Sequence, residues 1–224
     1  MTGQRLPLLL QQKGQGRSLT FFDFLWGFLI GWEIIMVLLL VGIVLFLAIH
    51  LVPQKPDLKA TLVAKLGKGG YGALHGVVAL ASVVLITIGY FGARGEVDLW
   101  YPPFWTRHLA ATLMLIASVL LFAAPFSGNI KQVLTSPLSV ALKIWAVAHL
   151  VANGSLADVV LFGFFLFFAV SYRISLKKRI AAGLVTVPAR RWLHDVYAVV
   201  LGLAFYVIMV FWLHEWAFDV SPLF

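Results

Sequence analysis

Six histidines are the residues of this sequence with the greatest capacity for chemistry. They stand inside or beside long apolar runs, where ionisable side chains are costly and usually face an interior site. Neutral imidazoles on facing helices, enclosed by apolar walls, are the ligands that a haem iron with two axial histidines requires. The chain has no cysteine, which excludes disulfides, thiolate metal centres and cysteine nucleophiles. The histidines are His50, His75, His108, His149, His194 and His214.

His149 has the neighbours that a flat ligand would need. Its helical neighbours three and four residues away are Trp145, Ala146, Ala152 and Asn153. The two alanines leave room for a flat ligand or for a closely packed helix, and Trp145 would form one wall. The alternative interpretation is that His149 only hydrogen-bonds between helices and that the alanines only promote packing.

Long apolar helices must position these side chains. The 224 residues are 62% hydrophobic and 12% charged, and the mean hydropathy is +0.97. This composition excludes a soluble domain, and continuous rather than alternating apolar runs favour helices over a β-barrel. The predicted fold is all-α, a polytopic membrane helix bundle of about six transmembrane helices. The predicted spans are residues 34–51, 71–91, 108–126, 138–153, 156–172 and 196–216.

Two further features belong to the connections and to the start of the chain. The fourth and fifth spans are short and form a tight hairpin around residues 153–155, and the glycine-rich stretch 66–72 is expected to be a loop that enters the second span. Residues 1–33 are expected to be an N-terminal extension with an interfacial segment, followed by one transmembrane domain over residues 34–224. Gly27 and Gly31 form a G-x-x-x-G, which permits close approach of a partner helix but also arises by chance.

The net charge of +8 is distributed unequally between the two ends of the bundle. Eleven basic residues fall in alternate loops on one side, against five on the other, so the positive-inside rule places both termini outside the cytoplasm. We expect a multi-pass protein of the bacterial inner (cytoplasmic) membrane that contacts lipid and binds no nucleic acid. Trp100, Tyr101, Trp105, Trp212 and Trp216 would form an aromatic belt at the outer interface. The eleven are Lys55, Lys59, Lys65, Lys68, Lys131, Arg173, Lys177, Lys178, Arg179, Arg190 and Arg191.

The positions of the histidines along the spans predict their depth. His50 ends the first span and His75 begins the second, so each is the depth-matched partner of the other near the cytoplasmic side. His149 lies toward the outer side, where His108 or His214 matches it better. His108, His194 and His214 neighbour charged residues, and histidines of this kind are usually solvated at the interface.

Several sequence segments resemble the NnrU family of bacterial membrane proteins. The segments are residues 50–53 (HLVP), 66–71 (LGKGGY), 105–110 (WTRHLA) and, most specifically, 143–154 (KIWAVAHLVANG). The resemblance covers roughly residues 36–220. The family is named for its association with nitrite and nitric oxide reduction in denitrifying bacteria, and it is similar to the plant 15-cis-zeta-carotene isomerases.

The resemblance implies a cofactor and its ligands. Two histidines hold a haem b in the plant isomerases, and the matching positions here are His50 and His149. The predicted depths of the two histidines differ, whereas one haem needs both at a similar depth. Two positions depart from the pattern. Ser136 replaces the histidine of an Arg-His-Pro common in the family, and Ala146 replaces the cysteine of the isomerases, so ligand exchange through a thiol is excluded.

Three hypotheses about function follow. The first is a haem b-binding NnrU-type membrane protein with an accessory role in nitrite and nitric oxide metabolism. The second is a haem-dependent cis-trans isomerase whose substrate is a carotenoid-like polyene. The third is a cofactor-free structural subunit that docks on a protein partner through residues 1–33. Carboxylates are almost absent from the predicted spans, which disfavours ion or proton transport.

Overall fold

Helices form the regular structure of the residues described by the computed structural model, which are 32–186 and 189–223. Within these ranges the structure has no β-strand beyond a single isolated bridge between Asp98 and Ser155, so the predicted all-α fold is confirmed. The predicted extension, including Gly27 and Gly31, lies almost wholly outside the described residues. The helices are α1 (Trp32–Leu51), α2 (Pro56–Ala93), α3 (Trp105–Ala123), α4 (Asn129–Leu134), α5 (Pro137–Ala152), α6 (Leu156–Ala181), α7 (Leu193–Ile208) and α8 (His214–Phe218).

Five helical stretches of the described chain are long and apolar enough to cross a membrane. They comprise α1, α2, α3, α6, and a last stretch in which a π-helical turn, Met209–Leu213, joins α7 to α8. The predicted fourth span is α5, which has only 16 residues. The predicted fifth span is longer than expected, because α6 continues through its basic last turn to Ala181 and has 26 residues. The short α4 was not predicted.

The start of α2 differs from the prediction. Residues 66–72 are not a loop, because α2 begins at Pro56 and runs for 38 residues with one kink at Gly67 (φ 71°, ψ 167°). Only Gly67 leaves the helical conformation, and glycine adopts this positive φ without a steric penalty. Pro56 and Asp57 begin the helix with residues suited to a first turn. The glycines therefore bend a helix and do not interrupt it with a loop.

Close helix contacts hold the bundle together. Helices α1 and α2 approach through glycines: a Cβ at Gly89 would overlap the backbone of Leu39, and one at Gly42 would overlap Ile86. Helix α3 packs on α5 and α7, while α6 packs on α5 and also contacts α1 and α2. Small residues allow this approach where no hydrophobic effect drives helix association in lipid.

The surface of the bundle is apolar to an extent that water would not tolerate. Large side chains such as Val77, Leu80 and Phe167 are each more than 60% exposed. Soluble proteins rarely expose so much contiguous apolar surface, whereas lipid covers it at no cost. The apolar spans and this surface together make the chain a multi-pass membrane protein that contacts lipid.

Candidate functional site

His149 lies near the end of α5, where its ring forms a cluster with the rings of Trp145 and Phe162. Its Nδ1 is 2.8 Å from the carbonyl oxygen of Trp145. Since a carbonyl oxygen only accepts, Nδ1 carries the proton of the neutral ring and Nε2 keeps its lone pair. The ring stacks on Phe162 with centroids 4.6 Å apart, and the ring of Trp145 lies 5.0 Å away. Trp145 therefore contacts the His149 ring, as the helical spacing predicts.

His50 is built in the same way at the end of α1. Its Nδ1 is 2.8 Å from the carbonyl oxygen of Phe46, again an aromatic residue four positions earlier. The imidazole stacks on the Phe46 ring at 3.9 Å, and Phe168 of α6 contacts its edge. As at His149, the free nitrogen is Nε2. Metal-bound histidines usually have this arrangement, in which the second ring nitrogen donates to a backbone carbonyl.

His75 is the histidine that the structure brings to His50. The two ring centroids are 5.4 Å apart, so the pairing predicted from depth is confirmed. His75 lies on α2 beyond the kink, with Tyr71 one turn earlier contacting its ring. The Nδ1 of His75 is buried and has no hydrogen-bond partner in the structure. A buried polar nitrogen without a partner is costly, and a ligand is one explanation for it.

The structure does not bring His50 and His149 into contact. A series of ring contacts connects them through Phe46, Phe165 and Trp145, with centroid distances of 5.3 Å between the first two of these rings and 5.6 Å between the last two. Helix α6 provides a scale, because Phe162 faces His149 and Phe168 faces His50. Six residues of helix correspond to a rise of about 9 Å. The two histidines thus differ in depth, as their positions in the sequence indicate.

The remaining histidines occupy less enclosed positions. His108 is exposed and contacts Phe104, as expected of an interface residue. The Nδ1 of His214 donates to the carbonyl oxygen of Val220. His194 has a structural role, since its Nδ1 accepts a hydrogen bond from the backbone N–H of Ser127.

A buried carboxylate stabilises the first turn of α6, and its role was not predicted from the sequence. Asp158 lies in the first turn of α6, where it accepts hydrogen bonds from the Tyr90 hydroxyl (2.7 Å) and from the hydroxyl and backbone N–H of Ser155. Ser155 in turn caps the helix, which completes a capping box. This arrangement fixes the start of α6 and therefore the position of Phe162 against His149. The Ser-x-x-Asp spacing of residues 155–158 was the available signal.

The α5–α6 hairpin is held by the connection between α2 and α3. The Gly154 carbonyl accepts hydrogen bonds from the backbone N–H groups of Leu99 and Trp100, and Leu156 donates to Val97. A Cβ at Gly154 would overlap the carbonyl oxygen of Trp100, so only glycine fits. Asn153 donates from its side chain to the His149 carbonyl oxygen. The most specific motif, residues 143–154, therefore builds the end of α5 that carries His149.

The potential ligand atoms that the structure places among the aromatic rings are imidazole nitrogens. In the described residues no group of three or more His, Cys, Asp or Glu side chains is placed to hold a metal ion. What the structure provides is single or paired neutral imidazoles among aromatic rings. Such donors suit a cofactor that brings its own equatorial ligands, such as haem.

A comparison with protein families finds a match over most of the chain. The family described as NnrU protein matches residues 38–222, which is most of the chain. The match begins within α1 and ends beyond α8, so it includes all six histidines. No curated protein and no solved structure matches the chain.

Proposed function

The chain belongs to the NnrU protein family, and from this membership and the construction of His50 and His149 we propose that it binds haem b within the membrane. The accompanying biological role is accessory to nitrite and nitric oxide metabolism in a bacterial inner membrane. That role comes from the association for which the family is named.

One observation carries the proposal: both candidate ligands have the same local geometry. In each, Nδ1 bonds to the carbonyl oxygen of an aromatic residue four positions earlier at 2.8 Å, which leaves Nε2 as the ligand atom. The walls are aromatic, from Phe46 and Phe168 at one histidine and Trp145 and Phe162 at the other. Neutral donors within apolar walls fit haem in donor chemistry.

The residues of the chain would hold and orient the cofactor. The carbonyl groups at residues 46 and 145 fix the ring tautomers and the orientation of Nε2, which raises the basicity of the ligand atom. Phe162 limits rotation of the His149 ring by stacking on it. The apolar side chains around both histidines would limit access of water and so influence the reduction potential of a bound iron. Haem itself supplies one-electron redox chemistry when it is bound.

Because His50 and His149 lie at different depths, it must be tested whether they can bind the same haem iron. One iron bound by both His50 and His149 requires their Nε2 atoms to face the same metal, and the rings of Phe46, Phe165 and Trp145 stand between them. Binding therefore requires these rings to move. His75, which already contacts His50, is the competing second ligand.

Absorption spectra of purified protein test the proposal. We expect oxidised protein in mild detergent to show a Soret band and reduced protein to show sharp α and β bands, as six-coordinate haem does. His50→Ala and His149→Ala should abolish the sharp bands. The matched control is His108→Ala, which removes an exposed histidine and should leave the spectrum unchanged.

Two results would count against this assignment. Protein that stays colourless after haem supplementation contradicts haem binding. Loss of the bands in His50→Ala and His75→Ala, with His149→Ala unaffected, would move the ligand pair to the depth-matched histidines. For the biological role, normal nitrite-dependent growth of a deletion strain would argue against an accessory function in that metabolism.

The alternatives make different predictions. A haem-dependent cis-trans isomerase of a carotenoid-like polyene needs an apolar cavity beside His149 that opens to lipid, and haem-loaded protein must convert the polyene in a reconstituted assay. Two cavities formed by the described residues lie elsewhere, and His149 lines neither of them. A cofactor-free subunit would instead co-purify with a partner, and that association would be lost when residues 1–33 are deleted.

A further inference from the structure

A basic cavity lies one helical turn beyond His50, at the end of the bundle that carries most of the positive charge. Its volume is about 550 Å³, and its polar lining residues are Gln54, Lys55, Ser171, Ser175, Lys178 and Arg179. Gln54 donates from its side chain to the carbonyl oxygen of His50, which fixes the cavity relative to the histidines. The position and the chemistry of this cavity do not depend on haem.

One face of α6 presents the polar groups to this cavity. Ser171, Ser175, Lys178 and Arg179 follow each other at helical spacings of three or four residues, apart from the adjacent last pair. Lys55, from the connection between α1 and α2, also lines the cavity. Among the described residues that line the cavity, none is acidic. Three cations and two hydroxyl groups therefore share one space without a carboxylate to neutralise them.

Arg179 is the lining residue of this cavity with a donor that no group of the described residues satisfies. Its Nε is buried and has no hydrogen-bond partner in the structure. The guanidinium group lies over the Tyr172 ring at 5.9 Å, which holds it at the cavity. The guanidinium group also carries terminal N–H donors, and such groups form strong, charge-assisted hydrogen bonds with oxyanions.

We propose that the basic cavity binds a phosphate group, and that in the membrane this phosphate is the headgroup of an anionic phospholipid. Arginine and lysine with hydroxyl donors suit phosphate oxygens. The cavity is also lined by Ile174 and Leu184, which are 52% and 65% exposed and offer an apolar surface for the acyl chains. Basic cavities at the cytoplasmic ends of membrane helices are typical sites for anionic headgroups. Free phosphate offers the same oxygen acceptors, but it has no acyl chains to contact these apolar side chains.

Lipid retention by the full-length protein tests the site. Protein purified in mild detergent is incubated with phosphatidylglycerol or with phosphatidylcholine of the same acyl chains, and bound lipid is counted by native mass spectrometry. We expect phosphatidylglycerol to be retained preferentially. Arg179→Gln should weaken its retention about tenfold or more, because charge-assisted hydrogen bonds are lost.

Lys177→Gln is the matched control. It removes the same charge from the same turn of α6, but Lys177 does not line the cavity. Screening at physiological salt should limit its effect to about twofold. An equal loss in Lys177→Gln and Arg179→Gln would overturn the proposal, because it would show general attraction to a basic surface.

Inorganic phosphate distinguishes the two sources of the ligand. Binding of inorganic phosphate to wild-type protein that Arg179→Gln abolishes, without any preference for phosphatidylglycerol, would keep the phosphate site and overturn the lipid assignment. If the protein neither binds inorganic phosphate nor prefers phosphatidylglycerol, the proposed phosphate site is wrong. If the Arg179 variant does not fold, wild-type protein crosslinked to a phosphatidylglycerol with a photoreactive headgroup decides the question. Crosslinks should concentrate in residues 171–184, and an even spread over the basic end would contradict the proposal.

Discussion

The nitrogen that each histidine leaves free determines what it can bind. In His50 and His149, Nδ1 donates to a carbonyl oxygen, so the free lone pair is on Nε2. In His194 the pattern is reversed, because Nδ1 accepts from the backbone N–H of Ser127 and Nε2 carries the hydrogen. His50 and His149 therefore have Nε2 available as a ligand atom, whereas His194 connects α7 to the loop after α3.

Asp158 should be essential to stability. We expect Asp158→Ala to lower the free energy of unfolding by about 2–4 kcal/mol, since it removes the capping box and leaves the Tyr90 hydroxyl and the Ser155 N–H without their acceptor. The measurement is thermal or denaturant unfolding in detergent, followed by circular dichroism.

Asp98→Ala is the control for this carboxylate. Asp98 also accepts a hydrogen bond from a tyrosine hydroxyl, that of Tyr101, and this bond raises the pKa of Tyr101. Both side chains are exposed, so the substitution should not measurably change stability. Equal effects of Asp158→Ala and Asp98→Ala would show that the buried network does not hold α6 in place.

At the scale of helices, the α1–α2 contact depends on the absence of side chains. A Cβ at Gly89 would meet the backbone of Leu39 and not the flexible end of a side chain, so the helices themselves must separate. We expect Gly89→Ala to destabilise the protein by about 1–3 kcal/mol, the usual cost of overpacking. Unfolding in detergent measures the effect.

Gly76 provides a matched control on the same helix. A Cβ there meets nothing within 4 Å, so Gly76→Ala changes no contact. Because alanine favours helix over glycine, this variant should be as stable as wild type or more stable by up to about 1 kcal/mol. If Gly76→Ala and Gly89→Ala lower the free energy of unfolding equally, the effect of Gly89 on stability comes from its backbone conformation and not from the contact between α1 and α2.

Hydropathy identified the helices but not all of their limits. The apolar runs predicted every spanning helix because backbone groups in lipid must bond within a helix. This rule does not identify a helix at a membrane surface, because such a helix can be polar. Residues 56–70 were therefore not predicted to be helical, and the glycines around Gly67 suggested a loop. The 26 residues of α6 were underestimated for the same reason, as its last turns carry Lys178 and Arg179.

The candidate site was predictable only in part. Position along the spans predicted that His50 meets His75, because depth follows directly from sequence in a helix of known direction. The aromatic rings between His50 and His149 were not predictable, because they come from α1, α5 and α6 and meet only through tertiary packing. Their arrangement depends on side-chain directions that a hydropathy pattern does not contain.

For the whole molecule, charge and aromatic side chains mark opposite ends of the bundle. The basic cavity with Lys178 and Arg179 lies at one end, and the exposed Trp100, Tyr101 and Trp105 lie at the other. Basic loops stay in the cytoplasm during insertion, whereas aromatic belts occur at both interfaces. The distribution of charge therefore predicts the orientation, and in that orientation the basic cavity proposed to bind phosphate would lie in the cytoplasmic leaflet.

Single introduced thiols can test this orientation, because the chain has no cysteine of its own. Lys59→Cys places an exposed thiol at the basic end, and Tyr101→Cys places one at the aromatic end, where the side chain is 82% exposed. A membrane-impermeant maleimide should label only Tyr101→Cys in intact spheroplasts and both variants after permeabilisation. Each substitution removes at most one of eleven basic residues from the cytoplasmic side, too few to invert the protein. Labelling of Lys59→Cys alone would place the basic cavity outside the cell, where the positive-inside rule does not put it.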